Sequence, residues 1–255
     1  MIWLYLRNTE NWNELNFTEA SKISNYIDPS INFHAKERFF NSIEKWDNTF
    51  NLSYFEFRNE LKQLAMSTWK NIPTVVEDID ELMLQISDND YVVPIDDDDW
   101  LHPEFQTIAQ NLKEEVCVFR QIIYDATEQS LEEWNDYKIL GSAHVAFKGS
   151  LLKRVSKKQR FHFLKYHPWI YKIANQSNAN ICIMNNLGPI VCSLWHFGSY
   201  SRMTAPNAIC EEWSVAEIKQ AISKEVPQTN KWMSSHLESF AQIYKKMDKE
   251  LCLFL

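Results

Sequence analysis

An apolar run, Tyr91-Val92-Val93-Pro94-Ile95, ends abruptly in four consecutive aspartates, Asp96 to Asp99, and this junction constrains the chain more than any other stretch. A near-continuous apolar segment bounded by polar residues has the pattern of a strand buried on both faces, and such strands belong to parallel sheets covered by helices. The carboxylates then sit at the C-terminal end of the strand, the edge of an open α/β sheet at which ligands bind. Adjacent carboxylates repel one another and favour a cation beside them. Side chains alternate along an extended chain, so Asp96 and Asp98 are expected on one side and Asp97 and Asp99 on the other. Paired carboxylates with neither Cys nor His beside them suit a hard ion, Mg2+ or Mn2+, which completes its shell with diphosphate oxygens. A solvated acidic turn after a strand would carry the same signature.

The surrounding pattern alternates strands with helices. Ile2 to Leu6 reads as a first strand, followed by helix-compatible polar sequence to about Ile27. Phe39, Phe40, Ile43 and Trp46 fall at helical spacing within 34–46, and Leu61, Leu64, Ala65 and Trp69 do so within 58–70. The pattern further predicts a strand at 74–76, a helix at 79–86, a helix over 103–112, a strand over 116–124 and a strand over 144–148. A helix over 161–174 follows, then strands at 181–184 and 189–195 that read as a hairpin around Asn186-Leu187-Gly188. From Val215 onward the spacing is helical, with Leu237, Phe240, Ile243 and Met247 in one stripe.

Glycine is informative by its scarcity: four residues, where average usage of roughly 7% would supply about eighteen. Loops that cradle phosphate need several glycines close together. No G-x-G-x-x-G, G-x-x-x-x-G-K-[ST] or G-x-S-x-G occurs, which disfavours Rossmann dehydrogenases, P-loop nucleotidases and nucleophile-elbow hydrolases. H-E-x-x-H is also missing, and with it the common zinc protease signature. A nucleotide would have to be held by other means. The five cysteines never form C-x-x-C and read as reduced thiols. A formal charge of −8 argues against nucleic acid as a partner, since phosphate binding needs clustered Lys and Arg. Lys153, Arg154, Lys157, Lys158 and Arg160 form one basic stretch, either a solvated face or a contact for phosphate or acidic lipid.

The segment from Tyr91 through Asp96-Asp97-Asp98-Asp99-Trp100-Leu101-His102-Pro103 resembles the strand and D-x-D motif of GT-A glycosyltransferases, in which an apolar strand leads into Asp-x-Asp-Asp, often followed by Trp-Leu and Pro. Ala143 to Leu152 is similar to their acceptor-side strand, and Leu194 to Arg202 resembles a later His- and Ser-containing segment of some bacterial and viral members. The resemblance implies a GT-A-like three-layer α/β sandwich with a mostly parallel central sheet and a helical C-terminal extension. It divides the chain into 1–205, the nucleotide-sugar and acceptor domain, and 206–255, the extension. The implied activity is metal-dependent transfer of a sugar from a nucleotide-diphosphate donor to a glycan or lipid-linked acceptor, as in polysaccharide biosynthesis, with Mn2+ or Mg2+ as cofactor. Asp98 would ligate the ion directly, and Asp96 would reach it through water or contact the ribose. Asp97 and Asp99 would flank the donor, His196 would add a metal or diphosphate contact, and Arg202 would bind phosphate. An inverting reaction also needs a carboxylate base for the acceptor hydroxyl, for which Glu211 and Glu212 are the candidates.

Several of these residues have plainer readings. His196 also suits a satisfied structural histidine, and Glu211 and Glu212 the acidic first turn of a following helix. The chain departs from the family at Leu6-Arg7-Asn8-Thr9-Glu10, where a Pro-Thr-Tyr-Asn-like turn is usual, and lacks a clear acceptor-side Glu-Asp pair. Two other functions share the acidic turn: a haloacid-dehalogenase-like phosphatase, which places Thr or Val where Trp100 stands, and a non-catalytic sugar- or metal-binding module. No apolar run approaches the ~18 residues that span a bilayer, and Met1 to Arg7 lacks the features of a signal peptide. The expected location is cytoplasmic, at most peripheral to a membrane.

Overall fold

The apolar pattern at Ile2–Arg7 and Tyr91–Asp96 builds two strands, β1 and β3, that lie side by side in parallel and match residue for residue from Ile2↔Tyr91 to Arg7↔Asp96. Every residue of β1 is buried, and β3 is buried as far as Ile95. The computed structural model describes residues 1–7, 29–72, 74–126, 128, 130–134, 144–165, 174–184, 188–199 and 232–247. Contacts divide the chain into two units: Met1–Asn8, Ala65–Ile123 and Glu132–Leu194 form the first, and Thr9–Leu64, Tyr124–Leu131 and Trp195–Leu255 the second.

In the first unit β1 also pairs in parallel with β2 (Val75–Val76), while β8 (Val145–Lys148) runs antiparallel between β3 and β5 (Val116–Val118). β9 (Ile181–Ile183) pairs in parallel with β5, giving the order β2-β1-β3-β8-β5-β9. Five strands therefore share one direction and β8 opposes them, so the chain is mixed α/β. β8 pairs β3 only at Tyr91 and Val92. The ladder on that side stops before Pro94, where an amide proton would be missing. Trp3, Tyr5, Val92, Val116, Val118, Val145 and Phe147 share a core cluster with residues of three helices, α3 (Ile79–Gln85), α5 (Gly149–Arg154) and α6 (Lys157–Lys165). Leu82, Leu151, Leu152, Phe163 and Leu164 supply that helical layer, and the rings of Phe147 and Phe163 lie 4.7 Å apart.

A second sheet has the order β4-β10-β6-β7, from β4 (Trp100–Leu101), β6 (Gln121–Asp125), β7 (Ser130–Trp134) and β10 (Val191–Trp195). It changes two sequence expectations. The run 116–124 is not one strand: β5 stays with β8, the Phe119 amide donates to the His144 carbonyl at 2.7 Å, and the chain then enters the other sheet as β6. Both pieces are buried, and neither Gly nor Pro marks the crossing at Arg120. Nor do β9 and β10 form a hairpin, because β9 pairs with β5 and β10 pairs antiparallel with β4 (Cys192↔Trp100). The helix expected over 161–174 begins earlier, at Lys157. It follows Ser156, whose amide and hydroxyl both donate to the Gln159 side chain in a capping box.

The second unit is built on aromatic packing. Helix α1 (Pro29–Thr49) contributes Phe39 and Trp46, and α2 (Tyr54–Trp69), whose residues from Ala65 onward belong to the first unit, opens with a Ser53/Glu56 capping box. Helix α7 (Ser234–Met247) buries Leu237, Phe240, Ile243, Tyr244 and Met247. Trp46 lies 4.9 Å from Phe57, and Tyr244 lies 4.4 Å from Phe240 and 6.0 Å from Phe57. The expected helical segment to Ile27 and residues 206–231 and 248–255 of the expected extension lie outside the described residues. Among the described residues no helix is long and apolar enough to cross a membrane.

Gly149 begins α5, and its amide donates to the Asp90 carbonyl at 2.8 Å. A Cβ there would stand 2.1 Å from the Ser87 carbonyl oxygen, a backbone atom that cannot swing away. Gly149→Ala is therefore expected to destabilise the fold by about 1–3 kcal/mol, the usual scale of overpacking. Urea unfolding should show a lower midpoint at unchanged m-value.

Candidate functional site

Because β1 and β3 are parallel and in register, their C-terminal residues emerge at the same sheet edge. Arg7 ends one and Asp96 the other, and Arg7 Nη2 stands 2.7 Å from Asp96 Oδ1. The Arg7 side chain is 3% exposed and that of Asp96 36%. Beyond Asp96 the chain turns: the Asp99 amide donates to the Asp96 carbonyl at 3.2 Å, and Asp99 Oδ2 accepts from the Asp96 amide at 3.3 Å. The last turn of α2 secures the exit. Trp69 Nε1 donates to the Asp99 carbonyl at 3.0 Å, and Thr68 Oγ1 accepts from the Leu101 amide at 3.0 Å. The alternation expected across the four aspartates thus stops at Asp96, since a turn and not an extended strand carries Asp97 and Asp98.

Exposure bears on one of the two readings of this run. Asp97 is 3% exposed, Asp98 8% and Asp99 2%, so the run is not a solvated turn. Withdrawing ionised carboxylates from water costs several kcal/mol each unless positive charge and hydrogen bonds compensate. Arg7 supplies one permanent charge. The donors are oxygen only, the chemistry of a hard divalent ion. Among the described residues no group of three or more His, Cys, Asp and Glu side chains converges as a metal centre. Mg2+ commonly takes only one or two carboxylates, with substrate phosphates and water completing its shell.

His196 belongs to the second unit and is fully buried. Its Nε2 lies 2.9 Å from Arg58 Nη1, and its ring meets that of Phe57 edge-on at 5.4 Å. A guanidinium only donates, so the Nε2 lone pair is engaged by Arg58. The contact ties the segment after β10 to α2. Nearby, Tyr54 donates its hydroxyl to the Gly198 carbonyl at 3.2 Å, and a Cβ at Gly198 would stand 2.9 Å from the Phe57 ring. Arg202, Glu211 and Glu212 lie outside the described residues.

Three residues of the basic stretch are paired with acid groups from elsewhere in the first unit. Lys153 pairs with Asp88, Arg154 with Glu115 and Lys157 with Asp80, while Arg160 donates to the Leu152 carbonyl. A cavity of about 440 Å³ lies beside it, lined by Glu115, Arg154, Gln159, Ser177 and Asn178 among others. Glu115 precedes β5, which runs in the same direction as β3, so this cavity marks the edge where strands begin, opposite the aspartates. Hydrogen bonds from Arg154 hold the Glu115 carboxyl below the usual range. Cys117 and Cys192 are buried free thiols, as is the half-buried Cys182, and burial pushes Cys117 up to about 11.

Arg7 and Trp69 were missed as site residues in the sequence. The signal for Arg7 was its place at the end of the first apolar run, which a parallel neighbour carries to the aspartates; Trp69 reads as an ordinary helix-face aromatic.

Replacing Arg7 by Gln and Asp96 by Asn, singly and together, should reveal a stability coupling of about 0.5–3 kcal/mol in a double-mutant cycle. Additive effects would show that the pair contributes nothing specific. No family model, curated protein or solved structure matches this chain, so the reading of the site rests on its own residues.

Proposed function

We propose that the chain is a metal-dependent glycosyltransferase of the GT-A type, acting in the cytoplasm on a nucleotide-sugar donor and a glycan or lipid-linked acceptor. The observation that carries this reading is the burial of three carboxylates beside Asp96, at the C-terminal edge of the parallel strands. That edge is where open α/β sheets bind ligands. Buried clustered acid is unfavourable for folding, and such arrangements persist where they serve a site. The motif Asp96-Asp97-Asp98-Asp99-Trp100-Leu101 supplies the family resemblance, and the lack of glycine loops leaves a bridging cation as the means of holding a diphosphate.

In this reading Asp98 would hold Mg2+ or Mn2+ directly, Asp96 would support it, and Asp97 and Asp99 would border the donor. When bound, the ion supplies Lewis-acid stabilisation of charge on the departing nucleoside diphosphate. Arg7 fixes Asp96, while Trp69 fixes the Asp99 backbone, so the carboxylates are held in place before substrate arrives. Glu211 or Glu212 takes the proton of the acceptor hydroxyl, and Arg202 contacts phosphate.

A nucleoside diphosphate with Mn2+ should raise the melting temperature, by the equivalent of about 2.7 kcal/mol at a hundredfold excess over Kd. The same nucleotide with chelator should not. Asp98→Ala should abolish this shift and lower transfer on the order of 10²-fold or more. Equal shifts with and without metal, or hydrolysis of simple phosphate esters without transfer, would overturn the assignment.

A further inference from the structure

We infer that Cys117, Cys182 and Met184 form a sulfur site for a soft monovalent ion of the Cu(I) class, which bridges β9 to β5. The site lies on different strands from the acidic turn and does not rest on the glycosyltransferase reading. The ladder sets two thiols side by side: β5 and β9 run in parallel with Val116↔Ile181, Cys117↔Cys182 and Val118↔Ile183 as partners. Directly paired residues of neighbouring strands share a face, and successive residues take opposite faces. Val116 and Val118 belong to the core cluster and Ile181 packs against it, so Cys117 and Cys182 share the other face. Met184 continues the pairing, its amide donating to the Val118 carbonyl at 2.8 Å. Two positions beyond Cys182, it stands on the same side, and its sulfur lies 3.9 Å from Cys182 Sγ. Among the described strands β9 pairs only with β5, and Cys182 and Met184 are half-buried, so solvent reaches two of the three sulfurs.

Distance separates the two things that paired thiols can do. A disulfide needs Cβ atoms about 3.5–4.5 Å apart, whereas hydrogen bonds hold neighbouring strands roughly 4.7–4.9 Å apart. Closing that bond would draw β9 off its ladder. An ion bonded to each sulfur at about 2.3 Å, the usual metal–thiolate length, spans up to about 4.6 Å and leaves the strands in place. The thiols give up little by turning to it, since Cys117 Sγ donates only weakly to the Glu114 carbonyl at 3.6 Å. On binding, both S–H bonds break, their protons pass to solvent and two sulfur–metal bonds form, with the Met184 thioether as a neutral third ligand. Among the described residues no His, Asp or Glu joins the two thiols in a metal-binding group, so the donors are sulfur only. Thiolate and thioether select Cu(I) over hard ions such as Mg2+, and Zn2+ in a structural site takes four ligands.

Titration of the reduced protein under argon with Cu(I) held by bicinchoninate tests this. The protein should withdraw one equivalent of ion from the coloured complex, and the ion should protect Cys182 from alkylation by iodoacetamide. Cys182→Ser should weaken binding by more than the roughly 10–100-fold that loss of a ligand's supporting partner costs. Met184→Leu, close in volume, should weaken it by less, and Cys210→Ser combined with Cys252→Ser should leave it unchanged. Binding that survives Cys182→Ser, or that disappears with Cys210 and Cys252, would put the ion elsewhere and overturn the inference. So would a failure to withdraw Cu(I). Should Cys182→Ser fail to fold, alkylation of the wild-type protein carries the test, and a Cys182 rate that the ion leaves unchanged would overturn the site. None of these outcomes bears on the metal-dependent transfer reading.

Discussion

The parallel, residue-for-residue pairing of β1 with β3 sets the first unit and its acidic edge. Five apolar or aromatic positions on each strand pair in register and are buried, and the sixth and final pair is Arg7 with Asp96. A charge pair thus appears at the point where the apolar pairing ends. A slip of one residue would turn each side chain of β1 to the opposite face and part the arginine from its carboxylate. The pairing that builds the sheet also supplies the counter-charge at the candidate site.

Burial of the remaining aspartates follows from the same arrangement. The turn closes through Asp99 onto Asp96, and Trp69 and Thr68 at the end of α2 bind the backbone that leaves it. Each of these contacts draws the carboxylates inward, although hydration would favour the reverse. A fold that keeps acid groups this dry has compensated for them with positive charge and directed hydrogen bonds.

Much of this was legible in the sequence, and the exceptions have physical causes. β3 and its acidic end were visible because a doubly buried strand reads as a continuous apolar run. The first two helices and the Leu237, Phe240, Ile243, Met247 stripe were visible because one face of each is apolar at helical spacing. The crossing at Phe119-Arg120 was not, since both flanking strands are buried and neither Gly nor Pro marks the break. Asn186-Leu187-Gly188 looked like a hairpin turn because local turn chemistry does not say which sheet the next strand joins. Arg7 was passed over for a related reason: its meaning depends on a neighbour almost ninety positions away. Arg58 beside His196 is likewise a tertiary fact that spacing cannot express.

The scarcity of glycine connects these observations. A chain with four glycines has few places where backbone can approach a phosphate closely, and Gly149, the one that abuts backbone most tightly, is used to seat α5 against the Ser87–Asp90 turn. Gly198 is likewise filled by the Phe57 ring. Neither is free to line an anion-binding loop. At the C-terminal edge of β1 and β3 the chain instead places the buried guanidinium of Arg7 beside clustered carboxylates.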